Sequence, residues 1–139
     1  MGSRRAVWLA LALGVTIAAA LLALRMSYWV PFEPNAQEFE AAAHYALASA
    51  HSNAEWVEVG LPVKFVWLTK GYKPAVFVFH GHRFVFFPQR NQAPGDLGGY
   101  FYSVDGTSPA AALGRDAQVR RLTPRWWVGR VSQRLRTGG

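Results

Sequence analysis

Residues 75–87 have the sequence AVFVFHGHRFVFF, in which apolar side chains occupy both alternating sets of positions around a short polar centre. This pattern predicts a β-hairpin that turns on Gly81-His82, because glycine in the first position of a two-residue loop suits a type II′ turn. The predicted register places two sets of apolar residues on opposite faces. One set is Phe79 paired with Phe84 and Phe77 paired with Phe86, and the other is Val76, Val78, Val85 and Phe87.

A helix is predicted before the hairpin, from Asn35 to about Ser52. Asn35 is the expected N-cap, and Glu38 three residues later completes a capping-box pattern. Helical spacing puts small and apolar residues on one side, namely Phe39, Ala43, Ala46, Leu47 and Ala50. Such a smooth side is suited to packing closely on a sheet.

Shorter elements are predicted around these two. Alternation over residues 61–68 indicates a strand, residues 88–99 a loop, and residues 100–104 and 119–122 two further strands. Residues 108–114 resemble one helical turn, and residues 125–131 fit either a strand or an interfacial helix. The predicted fold class is therefore α+β, with one helix packed on an antiparallel sheet of three to five strands.

The N-terminal part of the chain contains nineteen consecutive uncharged residues, 6–24, between Arg5 and Arg25. A helix of that length spans roughly 28 Å, close to the hydrocarbon thickness of a bilayer. Residues 6–25 are therefore predicted to be a transmembrane anchor, preceded by a basic N-terminus (1–5). A proline-containing connector (26–34) would join the anchor to a domain formed by residues 35–139. A signal peptide cleaved after Ala20 is the alternative.

Positive charge is greater before the apolar segment than directly after it. The positive-inside rule thus predicts a cytoplasmic N-terminus and an extracytoplasmic domain. The chain has no cysteine, which fits the extracytoplasmic side of a bacterial inner membrane better than a disulfide-linked secreted module.

Residues 115–139 carry seven arginines and one acidic residue, within a chain of net charge +7. A basic segment that includes a Trp pair suits anionic lipid, an acidic protein partner or nucleic acid. The extracytoplasmic prediction disfavours nucleic acid. The interaction candidates in this segment are Arg125, Trp126, Trp127 and Arg130. Val76, Val78, Val85 and Phe87 join them, because one helix covers only one face of a sheet that is apolar on both. The other face would be covered by the terminal Trp-rich segment, by a second sheet layer or by another protein.

Little in the sequence indicates chemistry. His80 and His82 are the candidates for a metal site, although two residues apart on a tight turn they match no common zinc spacing. The serines lack a nucleophile-elbow context, and no paired carboxylates suggest acid–base catalysis. Neither an enzyme nor a bound cofactor is expected.

The order of an N-terminal membrane helix, a further helix and an antiparallel sheet resembles pilins and pseudopilins in outline. Pro31 and Pro34 interrupt what would be their continuous first helix, and residues 6–24 contain no glutamate. The leading hypothesis is a non-enzymatic accessory subunit of a larger membrane protein complex. The alternatives are an anchored ligand- or metal-binding module and a pilin-like assembly component.

Overall fold

One antiparallel sheet of six strands forms the centre of the fold. The computed structural model describes residues 2–27, 29–51, 55–93, 96–114 and 117–132. The strands, in the spatial order β1-β2-β3-β4-β6-β5, are β1 (Trp56–Glu58), β2 (Ala75–Phe79), β3 (His82–Ala93), β4 (Asp96–Ser103), β5 (Arg120–Thr123) and β6 (Trp126–Ser132). The fold class is α+β as predicted, but three to five strands was an underestimate.

The helices are α1 (Gly2–Ser27), α2 (Ala36–Ser49), α3 (Val63–Val66) and α4 (Ala110–Leu113), with 3-10 turns at Glu33–Asn35 and Trp67–Thr69. The prediction of α2 is confirmed, with Phe39, Ala42, Ala43 and Ala46 buried on one side. The capping box is not formed. Asn35 instead donates its side-chain amide to the carbonyl of Pro31, 2.8 Å away.

The β2–β3 hairpin turns one residue earlier than predicted. Phe79 pairs with His82 and Phe77 with Phe84, so the loop is His80-Gly81. Positive φ angles at both loop residues, 49° and 80°, are those of a type I′ turn rather than II′. The pairing is shifted by two residues in register, and an even shift keeps each side chain on its predicted face.

Two predictions between the main elements were wrong. Residues 61–68 do not form a strand, since Val63–Val66 is helical and Trp67–Thr69 is a 3-10 turn. Most of the predicted loop 88–99 belongs to β3 and β4, which pair with irregular register between Pro88 and Arg90 and between Asn91 and Ala93. The register irregularities begin at Pro88 and at Asn91, so these residues mark bulges within a long hairpin rather than a loop.

The elements predicted in the C-terminal part of the domain are confirmed. α4 forms, and Ser108 Oγ accepts from the Ala110 amide at 3.2 Å. The strand predicted at 119–122 is present as β5. Residues 126–132 form a strand and not an interfacial helix, the two possibilities left open for 125–131.

Both faces of the sheet are covered within the domain. On one face, α2 and Phe32 pack on a buried cluster that includes Val76, Val85, Phe87 and Trp126. On the other, α4 packs on four buried phenylalanines, which are Phe77, Phe84, Phe86 and Phe101. The hairpin's two apolar faces thus form two separate cores.

α1 stands apart from both cores. It is long and apolar enough to cross a membrane, and a signal sequence would meet the same test. The side chains described along it, residues 2–21, are all exposed.

Candidate interaction surface

The two tryptophans of β6 lie on opposite faces of the sheet. Trp126 is only 4% exposed and has ring contacts with Phe32, Phe39, Phe87 and Tyr102 at centroid distances of 5.0–5.9 Å. Trp127 is half-buried on the α4 face, where the Arg121 guanidinium lies 4.8 Å from its ring centroid. Trp126 is therefore a core residue, and Trp127 is the member of the pair nearer the surface.

The hairpin residues predicted to face a partner lie mostly inside the domain. Val76, Val85 and Phe87 are at most 3% exposed, because α2 and Trp126 cover them. Val78 is 37% exposed near the turn end. In this conformation a partner has access only to Val78 among these four.

Arginines dominate the edge of the sheet formed by β5 and β6. Arg120, Arg121, Arg125 and Arg130 are all exposed. Within the described residues, no acidic side chain lies at ion-pair distance from any of them, and the two ion pairs seen there both involve histidine. Arg121 is held in place by its stacking on Trp127 and by a hydrogen bond to the carbonyl of Gly106 at 3.2 Å. Two candidates, Arg125 and Arg130, thus belong to a basic edge of the sheet, where the sequence predicted a basic tail. Residues 115–116 and 133–139 of that predicted tail lie outside the described residues.

His82 takes part in a polar cluster at the turn end of the sheet. Its Nδ1 lies 2.5 Å from Oδ2 of Asp105, whose Oδ1 accepts from the Thr107 amide at 3.0 Å and from the Ser103 hydroxyl at 3.3 Å. The hydrogen bond from His82, followed by those from Thr107, holds the pKa of the Asp105 carboxyl well below its usual range. The cluster fixes the turn after β4 against the start of β3.

The same cluster is not arranged for nucleophilic catalysis. A triad needs a hydroxyl at the histidine nitrogen opposite the carboxylate. Here the Thr107 hydroxyl is 3.3 Å from Nδ1, the nitrogen that already contacts Asp105, and Ser103 Oγ bonds to the carboxylate itself. Sequence reasoning missed Asp105 as the partner of His82, since 23 residues separate them.

His80 stands beside Gly81 in the turn, with its ring edge-on to Phe79 at 4.2 Å between centroids. Among the residues that the structure describes, no group of three or more His, Asp or Glu side chains is placed to hold a metal ion. Metal binding by His80 and His82 therefore stays a hypothesis that needs ligands from elsewhere.

A second polar arrangement, which sequence reasoning also missed, ties the connector after α1 to the sheet. Gln89 is 1% exposed, and its side-chain amide accepts from the Val30 amide at 2.8 Å and donates to the Leu68 carbonyl at 2.5 Å. The Tyr100 hydroxyl donates to the Val30 carbonyl at 2.7 Å, and burial raises the pKa of that phenol. Both backbone polar groups of Val30 are thus satisfied by side chains of β3 and β4.

No known protein family, curated protein or solved structure matches this chain. The case for function therefore depends on the surfaces described above.

Proposed function

We propose that the chain is a non-enzymatic, single-pass accessory subunit of a larger bacterial membrane protein complex. The observation that carries the proposal is the contrast between α1, a predominantly apolar helix whose described side chains are exposed, and a domain whose sheet is covered on both faces. An exposed apolar helix needs lipid or another transmembrane helix around it. In this proposal α1 stays uncleaved in the inner membrane, with its N-terminus in the cytoplasm.

The basic edge is the proposed contact with the partner. Arg120, Arg125 and Arg130 offer charge without described acidic neighbours, and Arg with Trp is enriched at protein interfaces. An acidic surface on an integral membrane partner is the complementary chemistry, because charge complementarity guides association and register.

Extraction of the native membrane in a mild detergent tests this proposal. We expect the chain to elute in an assembly well above its 15.4 kDa mass, with an intact N-terminus by mass spectrometry. A reporter active only outside the cytoplasm, fused after Gly139, is expected to be active. A monodisperse monomer in several mild detergents would contradict the subunit role, and a new terminus after Ala20 would contradict the anchor.

A further inference from the structure

Apolar exposure in the domain is concentrated in the segment between β1 and β2. Seven large hydrophobic residues outside α1 are exposed among the described positions, and four of them fall between residues 63 and 72. These four are Val63 (92% exposed), Val66, Trp67 and Tyr72; the others are Tyr45, Val78 and Val104. We call residues 60–73 the β1–β2 segment.

The segment is a built structure and not a loose loop. Leu68 and Thr69 are fully buried, and Phe65 packs against the α2-side core. Trp67 Nε1 donates to the Lys64 carbonyl at 2.9 Å, which fixes the indole on the outside. The Thr69 hydroxyl bonds to the carbonyl of Tyr72. The outward apolar side chains are therefore held in place by inward ones.

This segment lies next to the point where α1 joins the domain. Gln89 bonds simultaneously to Val30 and to Leu68, so only one side-chain amide separates the connector from the segment. Val30 is three residues beyond the end of α1 at Ser27, a span of at most about 11 Å of extended chain. If α1 is embedded, the segment is held near the bilayer surface.

The charge of the segment suits anionic lipid. Lys64 and Lys73 are exposed, and no Asp or Glu occurs between Glu58 and Asp96. Trp and Tyr are the aromatic residues that settle at the headgroup level, and lysine at this level is attracted by anionic headgroups. An acidic protein would satisfy the lysines as well, but the exposed Trp67 and Tyr72 beside the anchor are the residue types that settle among headgroups, which favours lipid.

We propose that the β1–β2 segment is a second membrane-contact site, in which Val63 and Trp67 enter the headgroup region and Lys64 and Lys73 bind anionic phospholipid. This inference depends on the anchoring part of the proposed function. It adds that the domain lies against the membrane surface by a defined side, which leaves the basic edge free for a partner.

The full chain, reconstituted in vesicles, provides the test. Since the protein has no cysteine, Val63→Cys carries a single environment-sensitive fluorophore, with Val104→Cys near the opposite end of the sheet as the matched control and Leu9→Cys reporting on α1. We expect the probe at 63 to be shielded from iodide and blue-shifted in phosphatidylglycerol-containing vesicles, and less so in pure phosphatidylcholine. The probe at 104 is expected to stay open to iodide in both.

Charge reversal checks the lipid chemistry. Each basic side chain near an anionic surface strengthens binding to that surface by a factor of roughly five. Lys64→Glu with Lys73→Glu should therefore weaken the binding of the segment to the anionic surface by at least about 25-fold and leave the probe at 63 open to iodide. Arg120→Glu, on the β5 edge, should change nothing. Circular dichroism confirms that each variant folds.

Each outcome bears on a different part of the argument. If the probe at Leu9 is shielded from iodide while the probe at 63 is as accessible as the probe at 104, this inference is overturned and the anchor stands. An open Leu9 probe overturns the anchor and this inference together. Shielding at 63 that follows protein density instead of phosphatidylglycerol content would assign the segment to a second copy and overturn the lipid contact.

Discussion

The amide N–H of Val30 donates to Oε1 of Gln89, with 2.8 Å between the nitrogen and the oxygen. Nε2 of the same side-chain amide donates to the Leu68 carbonyl, and Gln89 itself is buried. A single glutamine thus joins the connector, the β1–β2 segment and β3. Because a buried polar group without a partner is costly, this contact fixes how the chain leaves α1 and enters the sheet.

Replacement of Gln89 by methionine is the most direct test of that junction. Gln89→Met keeps the length of the side chain but leaves the Val30 amide and the Leu68 carbonyl without their partner. We expect a loss of about 1–3 kcal/mol in the free energy of unfolding. For a domain of this size each kcal/mol lowers Tm by roughly 4–8 °C. Thermal circular dichroism of the full chain in detergent measures the change.

The control for this prediction is Gln37→Met, on the exposed side of α2. It should melt close to the parent. Equal Tm values for Gln89→Met and the parent would show that the junction contributes nothing to stability.

Gly99 on β4 is predicted to tolerate no side chain. A Cβ atom there would lie 2.1 Å from the carbonyl oxygen of Phe87 and 2.7 Å from the ring of Phe86. The backbone of a paired strand cannot move aside cheaply, so Gly99→Ala should cost roughly 3 kcal/mol or more. Gly60→Ala is the control, because its Cβ meets nothing within 4 Å. Urea unfolding of the two variants should differ clearly, and a similar midpoint for both would contradict the packing of β3 on β4.

Most of the correct predictions about the sheet followed from the alternation of apolar residues. The faces of β2 and β3 followed from the order of Phe and Val, and those faces persisted although the turn lies at His80-Gly81 instead of Gly81-His82. The alternation of a strand decides which face each side chain is on. The position of the turn depends instead on which residues adopt positive φ, and histidine is not a residue type that predicts this.

Each of the two wrong predictions has a physical reason. Val63, Phe65 and Trp67 alternate as in a strand, yet Val63 and Trp67 face solvent while Leu68 and Thr69 are inside. Here the alternating residues lie in a four-residue helix and a 3-10 turn, and a long-range hydrogen bond from Gln89 to Leu68 fixes the turn. No local pattern shows such a bond. Residues 88–99 were predicted wrongly for a different reason, since glycine and proline occur at bulges inside strands as well as in loops.

The Trp pair is expected to divide its roles between core and surface. Trp126→Ala removes a buried ring with four aromatic neighbours and should cost about 3–5 kcal/mol. Trp127→Phe should cost less than about 1 kcal/mol, because Trp127 Nε1 is buried with no hydrogen-bond partner among the described residues. Chemical unfolding separates the two.

Assembly is the second readout for the pair. If β6 borders the partner, Trp127→Ala should weaken co-purification more than its effect on Tm explains, whereas removal of residues 133–139 should only modulate it. Loss of binding on truncation, with the Trp127→Ala variant binding normally, would reverse these roles.

The β2–β3 turn offers a stabilising substitution. His80 adopts φ 49° and Gly81 φ 80°, and Asn-Gly is the preferred sequence for such a turn. His80→Asn should therefore raise stability by several tenths of a kcal/mol, while Gly81→Ala should lower it by about 1–2 kcal/mol because a Cβ is strained in this region. Destabilisation by His80→Asn together with stabilisation by Gly81→Ala would contradict the type I′ turn.

The lowered pKa of Asp105 predicts how the stability of the fold changes at acidic pH. Its pKa is lowered in the folded state, first by the hydrogen bond from His82 and then by those from Thr107. A lowered pKa gives stability that is present above the usual aspartate value of about 3.9 and is lost as pH falls through the folded value. The Tm difference between the parent and Asp105→Asn should thus be full near about pH 6 and shrink steadily below about pH 4. His82→Ala removes the largest cause and should reproduce most of the loss. A difference that stays constant down to about pH 2 would show that the carboxylate of Asp105 does not carry the His82 contact.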